Sequence, residues 1–283
     1  MQVDYKMECD HVDPVEYDTL MRRIREFFAK KNYIECFLGS KLDTLSACED
    51  AENLATFHFM GKKYSLVQSG QVNLERTILK DDQHRSYCCH TTSFREEKNP
   101  IPGRHNFVYP LWEWESNYDF SGLIQFHKEL LEHLGFGDPS TYVDVEYTDM
   151  LKKYGVDEIS HVEERKMYED YGPVIFLKFF DSQSSPFWNM RRLNKDLAYK
   201  CDVILAGNET IGSAERSCDA EQMRNSFHTI SDGKYAEFLY EKFGKERIEN
   251  ELEEYLALPF RTRSGAGLGI TRMLTACKTL GIL

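Results

Sequence analysis

No apolar run in the sequence approaches the length of a membrane span, so the chain does not read as a helical membrane protein. Met1 to Asp18 lacks the apolar core of a signal peptide, and the expected location is cytoplasmic. Positive charge is in short supply: 35 Lys and Arg stand against 47 Asp and Glu, a net charge of -12. That balance argues against a general nucleic-acid coat or an anionic membrane as partner, while leaving room for a local basic pocket for a nucleotide. The eight cysteines show no CxxC spacing of the kind a zinc site uses, and Cys88 and Cys89 are adjacent, too close for an ordinary bridge. They read as reduced thiols. Neither an internal repeat nor a low-complexity linker is present, and residues 1–283 are expected to form one domain with a substantial core.

Helix signals open the chain. Pro14 follows a capping Asp13, and Leu20, Ile24, Phe27 and Phe28 recur at helical spacing within Asp13 to Asn32. Tyr33 to Leu38 reads as a strand, two β runs flank the turn at Gly61-Lys62, and Gln71 to Leu79 reads as a helix. Tyr87 to Glu97 is a strand running into a loop, paired with Asn106 to Ser116. There Trp112 and Trp114 fall on one face and Glu113 and Glu115 on the other. The two glutamates fit either a pocket wall or the wet face of a strand. Phe120 to Leu134 is a helix stopped by Gly135 and Gly137, and Pro173 to Phe180 is an apolar strand expected at the centre of a sheet. Lys234 to Leu256 reads as a charged, solvated helix. Paired antiparallel strands with helices outside them make an α+β domain.

The chemistry concentrates near the end, in DVILAGNETIGSAER (Asp202 to Arg216) and RTRSGAGLGITRML (Arg261 to Leu274). Asp202 and Glu209 beside an apolar run have the hard oxygens that suit Mg²⁺. Gly265, Gly267 and Gly269 read as a glycine-rich turn where backbone approaches a ligand, with Arg272 in the first turn of the helix that follows.

Three separated blocks resemble one family, the class II aminoacyl-tRNA synthetases. Phe94 to Glu97 (FREE) with Arg104-His105 resembles their second signature motif, and Gly265 to Arg272 (GAGLGITR) the third. VQSGQVNLE (Val67 to Glu75) and CEDAEN resemble asparaginyl enzymes, and the spacing of Asp202, Glu209 and Arg216 resembles the aspartyl and asparaginyl branch. The WEWE run, Trp112 to Glu115, is similar to that of the bacterial ammonia-dependent asparagine synthetase. The resemblance implies an antiparallel class II sheet flanked by helices, expected without an anticodon-binding domain, in a homodimer for which tRNA is not the expected partner. Gly39 stands near the place of the first-motif proline, Val108 replaces an acid, and Leu74 replaces the lysine that reads aspartate.

By the same resemblance, ATP and Mg²⁺ are the expected cofactors. Arg95 would hold the α-phosphate with the amino-acid carboxylate, and Glu97 would accept from the adenine amino group. Arg104 and His105 would reach the outer phosphates, Phe107 would stack on adenine, and Arg272 would cover the ring or the γ-phosphate. Asp202 and Glu209 would hold Mg²⁺, with Glu209 thereby binding ATP. Arg216 would grip the amino-acid side chain, Glu49 or Glu52 its α-ammonium, with Gln71 and Glu113 lining the pocket. Three functions remain open: an aspartate–ammonia ligase working through aspartyl-adenylate, an enzyme passing activated asparagine to an acceptor other than tRNA, and a catalytically silent regulator.

Overall fold

The computed structural model describes residues 12–38, 45, 51–98, 106–182 and 188–283. Helix α1 (Pro14–Lys30) begins where the Asp13 carboxylate accepts from the Val15 and Glu16 N–H groups, and it buries Leu20, Ile24, Phe27 and Phe28. Strand β1 (Ile34–Glu35) is shorter than the expected Tyr33 to Leu38, because only those two residues pair with a neighbour. The hairpin of β2 (Thr56–Phe59) and β3 (Lys62–Ser65) stands as a small separate sheet ahead of α2 (Gln71–Lys80).

Strands β4 (Tyr87–Phe94) and β5 (Val108–Ser116) lead to α3 (Phe120–Leu134), which Gly135 ends at φ 100°. Next come β6 (Val143–Glu146), α4 (Tyr147–Tyr154), α5 (His161–Tyr171), β7 (Val174–Asp181), β8 (Leu197–Leu205) and β9 (Asn208–Glu215). Helices α6 (Ala220–Thr229), α7 (Lys234–Phe243) and α8 (Lys245–Leu256) precede β10 (Ser264–Gly269) and α9 (Ile270–Thr279). The single helix expected over Lys234 to Leu256 is two, broken at Gly244 with φ 89°.

Among the described residues eight strands form one sheet, in the order β1-β4-β5-β10-β9-β8-β7-β6. The pairs β1–β4 and β6–β7 are parallel and the rest antiparallel. The apolar strand β7 therefore lies next to the edge rather than at the centre. It is still buried on both faces, because Phe176 packs in one core and Ile175 and Leu177 in another. One face of the sheet is fully dressed: Trp112, Trp114, Val203, Ile211 and Leu268 pack under α1, α3 and α9.

On the opposite face, α2 covers β4 and β5 while α4 and α5 cover β7 and β8. Between those two covers the sheet is floored by glycine. GAGLG, expected as a turn, is the central strand β10, hydrogen-bonded to β5 on one side and β9 on the other. Glycine is a poor strand former in isolation, so neighbours on both sides impose the extended backbone.

Candidate active site

Register assembles the site. Across five strands, Cys89, Glu113, Gly267, Gly212 and Asp202 lie opposite one another in one transverse line. Directly paired residues share a face, so Glu113 and Asp202 rise on either side of two glycines. The next line brings Tyr87, Glu115, Gly265, Ala214 and Lys200 together. Among the described residues a Cβ on Gly267 would meet nothing nearer than Glu113 at 3.9 Å, so they leave the floor there as bare backbone.

At one end stands a buried polar cluster. Arg216, at 3% exposure, donates from Nε to Glu115 Oε1 at 2.9 Å and from Nη2 to Gln71 Oε1 at 2.8 Å. Gln71 itself is fixed by donating to the Ala266 carbonyl at 2.8 Å. Glu75 accepts from Arg263 Nε and Nη2 at 3.0 and 2.7 Å and from the Tyr255 hydroxyl at 2.6 Å. Its Oε1 accepts from Asn189 at 2.7 Å and lies 3.7 Å from Arg216 Nε.

Burial alone would push the Glu75 carboxyl up, but Arg263 and Arg216 outweigh it and hold the group below its ordinary value. Glu115 goes the other way: burial, with Glu75 beside it, pushes it up to about 8 despite Arg216. Glu115 Oε2 has no hydrogen-bond partner among the described residues. Glu113 is buried as well, accepting from the Ser69 hydroxyl at 2.5 Å and the Gly70 N–H at 2.8 Å. The wet-face alternative for these two glutamates fails, because the N-terminal end of α2 closes over them.

At the other end are the acids of β8 and β9. A Cβ on Gly212 would lie 3.3 Å from Glu209 Oε1 and 3.7 Å from Asp202 Oδ1, so both carboxylates overhang the same bare position. Arg272, in the first turn of α9, donates to the Glu209 carbonyl at 2.8 Å and sits 3.4 Å from its Oε2. Burial, moderated by Lys200 and reinforced by Glu209, pushes Asp202 up to about 7. Among the described residues no group of three or more His, Cys, Asp and Glu is arranged to hold a metal ion. What the chain offers is a pair of hard oxygen donors, with Asp202 Oδ1 left without a partner among the described residues, and that fits an ion sharing its shell with phosphate oxygens.

Arg95 follows β4 at the same end of the sheet as Gly269 and Glu209. Its N–H donates to the Phe107 carbonyl at 2.8 Å, and its guanidinium lies 5.5 Å from the Tyr109 ring centre. Glu97 accepts from Asn53 at 3.2 Å, and Phe107 is half-buried. Glu49, Arg104 and His105 lie outside the described residues, as does the Glu52 side chain. The sequence reading passed over Arg263, Lys200, Tyr255 and Asn189. A signal existed for the first two, since Lys200 sits two residues before Asp202 on a strand and Arg263 two before Gly265.

Comparison with known proteins bears on this arrangement. The chain is 25% identical over 292 residues to the asparagine–tRNA ligase of Pelotomaculum thermopropionicum, covering 90% of itself and 63% of that protein. Its fold is similar to asparaginyl-tRNA synthetase from Pyrococcus horikoshii complexed with asparaginyl-adenylate, with TM-score 0.75 and 22% identity over 94% of this chain and 65% of the other. The Entamoeba histolytica asparaginyl-tRNA synthetase, also in complex with asparaginyl-adenylate, gives TM-score 0.71 at 17% identity, covering 92% of this chain and 62% of the other. The chain thus spans less than two thirds of the length of these relatives. Residues 17–279 match the family described as tRNA synthetases class II (D, K and N), and with its eight-stranded sheet and flanking helices this chain belongs to that family.

Proposed function

We propose that the chain is an ATP-dependent, adenylate-forming ligase that activates aspartate and passes it to ammonia, making asparagine. The observation that carries the aspartate reading is the placement of Glu75. Its two oxygens are taken up by Arg263, Tyr255 and Asn189, so it is not offered to a substrate side chain. The Arg216 guanidinium lies at this wall of the strip, 2.9 Å from Glu115 Oε1, and burial pushes the Glu115 carboxyl up to about 8. A substrate side-chain carboxylate placed there would accept from Arg216, and a protonated Glu115 would donate to it.

The rest of the strip supports adenylation. An amino acid gripped at Arg216 would lie along the glycine floor with its carboxyl group toward Asp202, Glu209 and Arg272. Glu113 and Gln71 would flank it, and Arg95 would align the attacking carboxylate with the α-phosphate. Little covalent chemistry is asked of these groups, since in-line displacement needs mainly alignment and charge neutralisation. Asp202 and Glu209 would hold Mg²⁺, which would supply charge to the phosphate oxygens when bound. A small acceptor agrees with the net charge of -12, which gives no electrostatic footprint for a polyanion. A homodimer belongs to the same reading.

A second reading, activation of asparagine, is favoured by the fully buried Leu74 where aspartate enzymes would carry a lysine. In that case Glu115 Oε2 would be ionised and would accept from the amide nitrogen. ATP–pyrophosphate exchange driven by aspartate or by asparagine separates the two, and ammonium added to the aspartate reaction should yield free asparagine. Exchange with neither amino acid would leave the silent-regulator alternative standing.

A further inference from the structure

The carboxylate pair is already partly neutralised by the protein. Lys200 Nζ lies 2.5 Å from Asp202 Oδ2, and Arg272 Nη1 lies 3.4 Å from Glu209 Oε2. Lys200 is 7% exposed and its ammonium sits 3.6 Å from the centre of the Phe180 ring, so it is fixed by a cation–π contact as well as by the ion pair. Residues two apart on a strand share a face, and that is what aims Lys200 along β8 at its neighbour. The remaining polar atom is Asp202 Oδ1. Asp202 is 8% exposed, and Oδ1 has no partner among the described residues as it overhangs Gly212 beside Glu209 Oε1. Glu164 contributes a further negative charge nearby, its Oε2 accepting the Glu209 N–H at 2.9 Å.

We infer that Lys200 is a tethered counter-ion at the cation site, so that the Asp202–Glu209 pair does not take up a free divalent ion and receives one only together with a triphosphate. With Asp202 and Glu209 matched by an ammonium and a guanidinium, only the charge of Glu164 is left over, too little to hold a lone divalent ion stripped of its water. Tetra-anionic ATP brings the negative charge that makes the ion welcome, with Asp202 Oδ1 and Glu209 Oε1 as the protein's donors. The inference rests on the proposed nucleotide reading for its second half. Its first half, exclusion of the free ion, stands on the ion pair alone.

Direct binding of Mn²⁺ to the full chain, followed by electron paramagnetic resonance of the free ion, tests it. Without nucleotide the wild type should bind Mn²⁺ weakly, and Lys200→Met should bind it at least about tenfold more tightly, because one buried unit charge has gone. Lys200→Gln, which keeps a polar group, guards against misfolding of the first variant and should move the same way. Melting gives a second readout: millimolar Mn²⁺ should raise the melting temperature of both variants and leave that of the wild type unchanged. Asp202→Asn placed on either variant should abolish the gain. Tight nucleotide-free Mn²⁺ binding by the wild type, variants no tighter than wild type, or a gain that survives Asp202→Asn would each overturn the assignment. Failure of aspartate- or asparagine-driven exchange in the wild type would instead overturn the function proposed above while leaving these binding results to be judged on their own.

Discussion

Arg263 donates two hydrogen bonds to a single oxygen of Glu75 from 188 residues away in sequence, at 3.0 and 2.7 Å, and both side chains are fully buried. The contact locks α2 to the strand that carries the glycines, and so fixes where Gln71 and Arg216 meet. Removing one member of such a pair strands the other charge in the interior. Glu75→Leu is expected to cost about 3–5 kcal/mol of stability, read from the denaturant midpoint. A loss below about 1 kcal/mol would mean that the cluster is wetter than its burial indicates.

Two glycines of one strand make opposite predictions. A Cβ on Gly265 would lie 1.8 Å from Glu115 Oε1 and 2.7 Å from Gln71 Oε1, so Gly265→Ala should drive Glu115 off Arg216. Overpacking of this kind typically costs about 1–3 kcal/mol, and amino-acid-dependent exchange should fall with it. Among the described residues Gly267→Ala meets only Glu113, at 3.9 Å. It should keep the melting temperature and still raise the KM for ATP or the amino acid, because the new methyl occupies the ligand's floor. Equal behaviour of the two variants would contradict the strip.

Arg95→Ala and Arg272→Ala should each lower exchange by about 10²–10³-fold, the range seen when one aligned donor to a developing charge is removed. Near-normal exchange in either variant would show that the phosphate end has been assigned to the wrong residues. Arg272 also donates to the Glu209 carbonyl at 2.8 Å, so circular dichroism of that variant should accompany the assay.

The folded-state pKa of Glu115 is raised to about 8, by burial first and Glu75 second. A proton held more tightly in the folded than in the unfolded chain adds stability that is complete below the ordinary carboxylate range and is lost as pH rises through the folded value. The stability of the wild type relative to Glu115→Gln should therefore fall between about pH 5 and about pH 9. A difference that stays flat across that window would mean that Glu115 is ionised throughout, which would favour the asparagine reading.

Local signals made the helices legible. Asp13 before Pro14 and Gly135 after Leu134 state their ends in the sequence, and the structure places α1 and α3 there. Alternation separated the tryptophans from Glu113 and Glu115, but it carries no information on which helix will later cover which face. The glycines of β10 read as a turn because the extended form comes from β5 and β9 rather than from the strand's own residues. Among the site residues, Asp202, Glu209 and Arg272 announced themselves by type and spacing, and the fold brings them together. Arg263 and Tyr255 did not, since their meaning lies wholly in Glu75, which only the folded chain puts beside them.

The unclothed strip over Gly267 and Gly212 has a consequence for the protein as an object. Along that line the described residues supply no second layer beyond the overhanging carboxylates of Asp202 and Glu209. Whatever lies there becomes interior material, so a saturating ligand should act as a folding partner as much as a reactant, worth about 2.7 kcal/mol when present at a hundred times its dissociation constant.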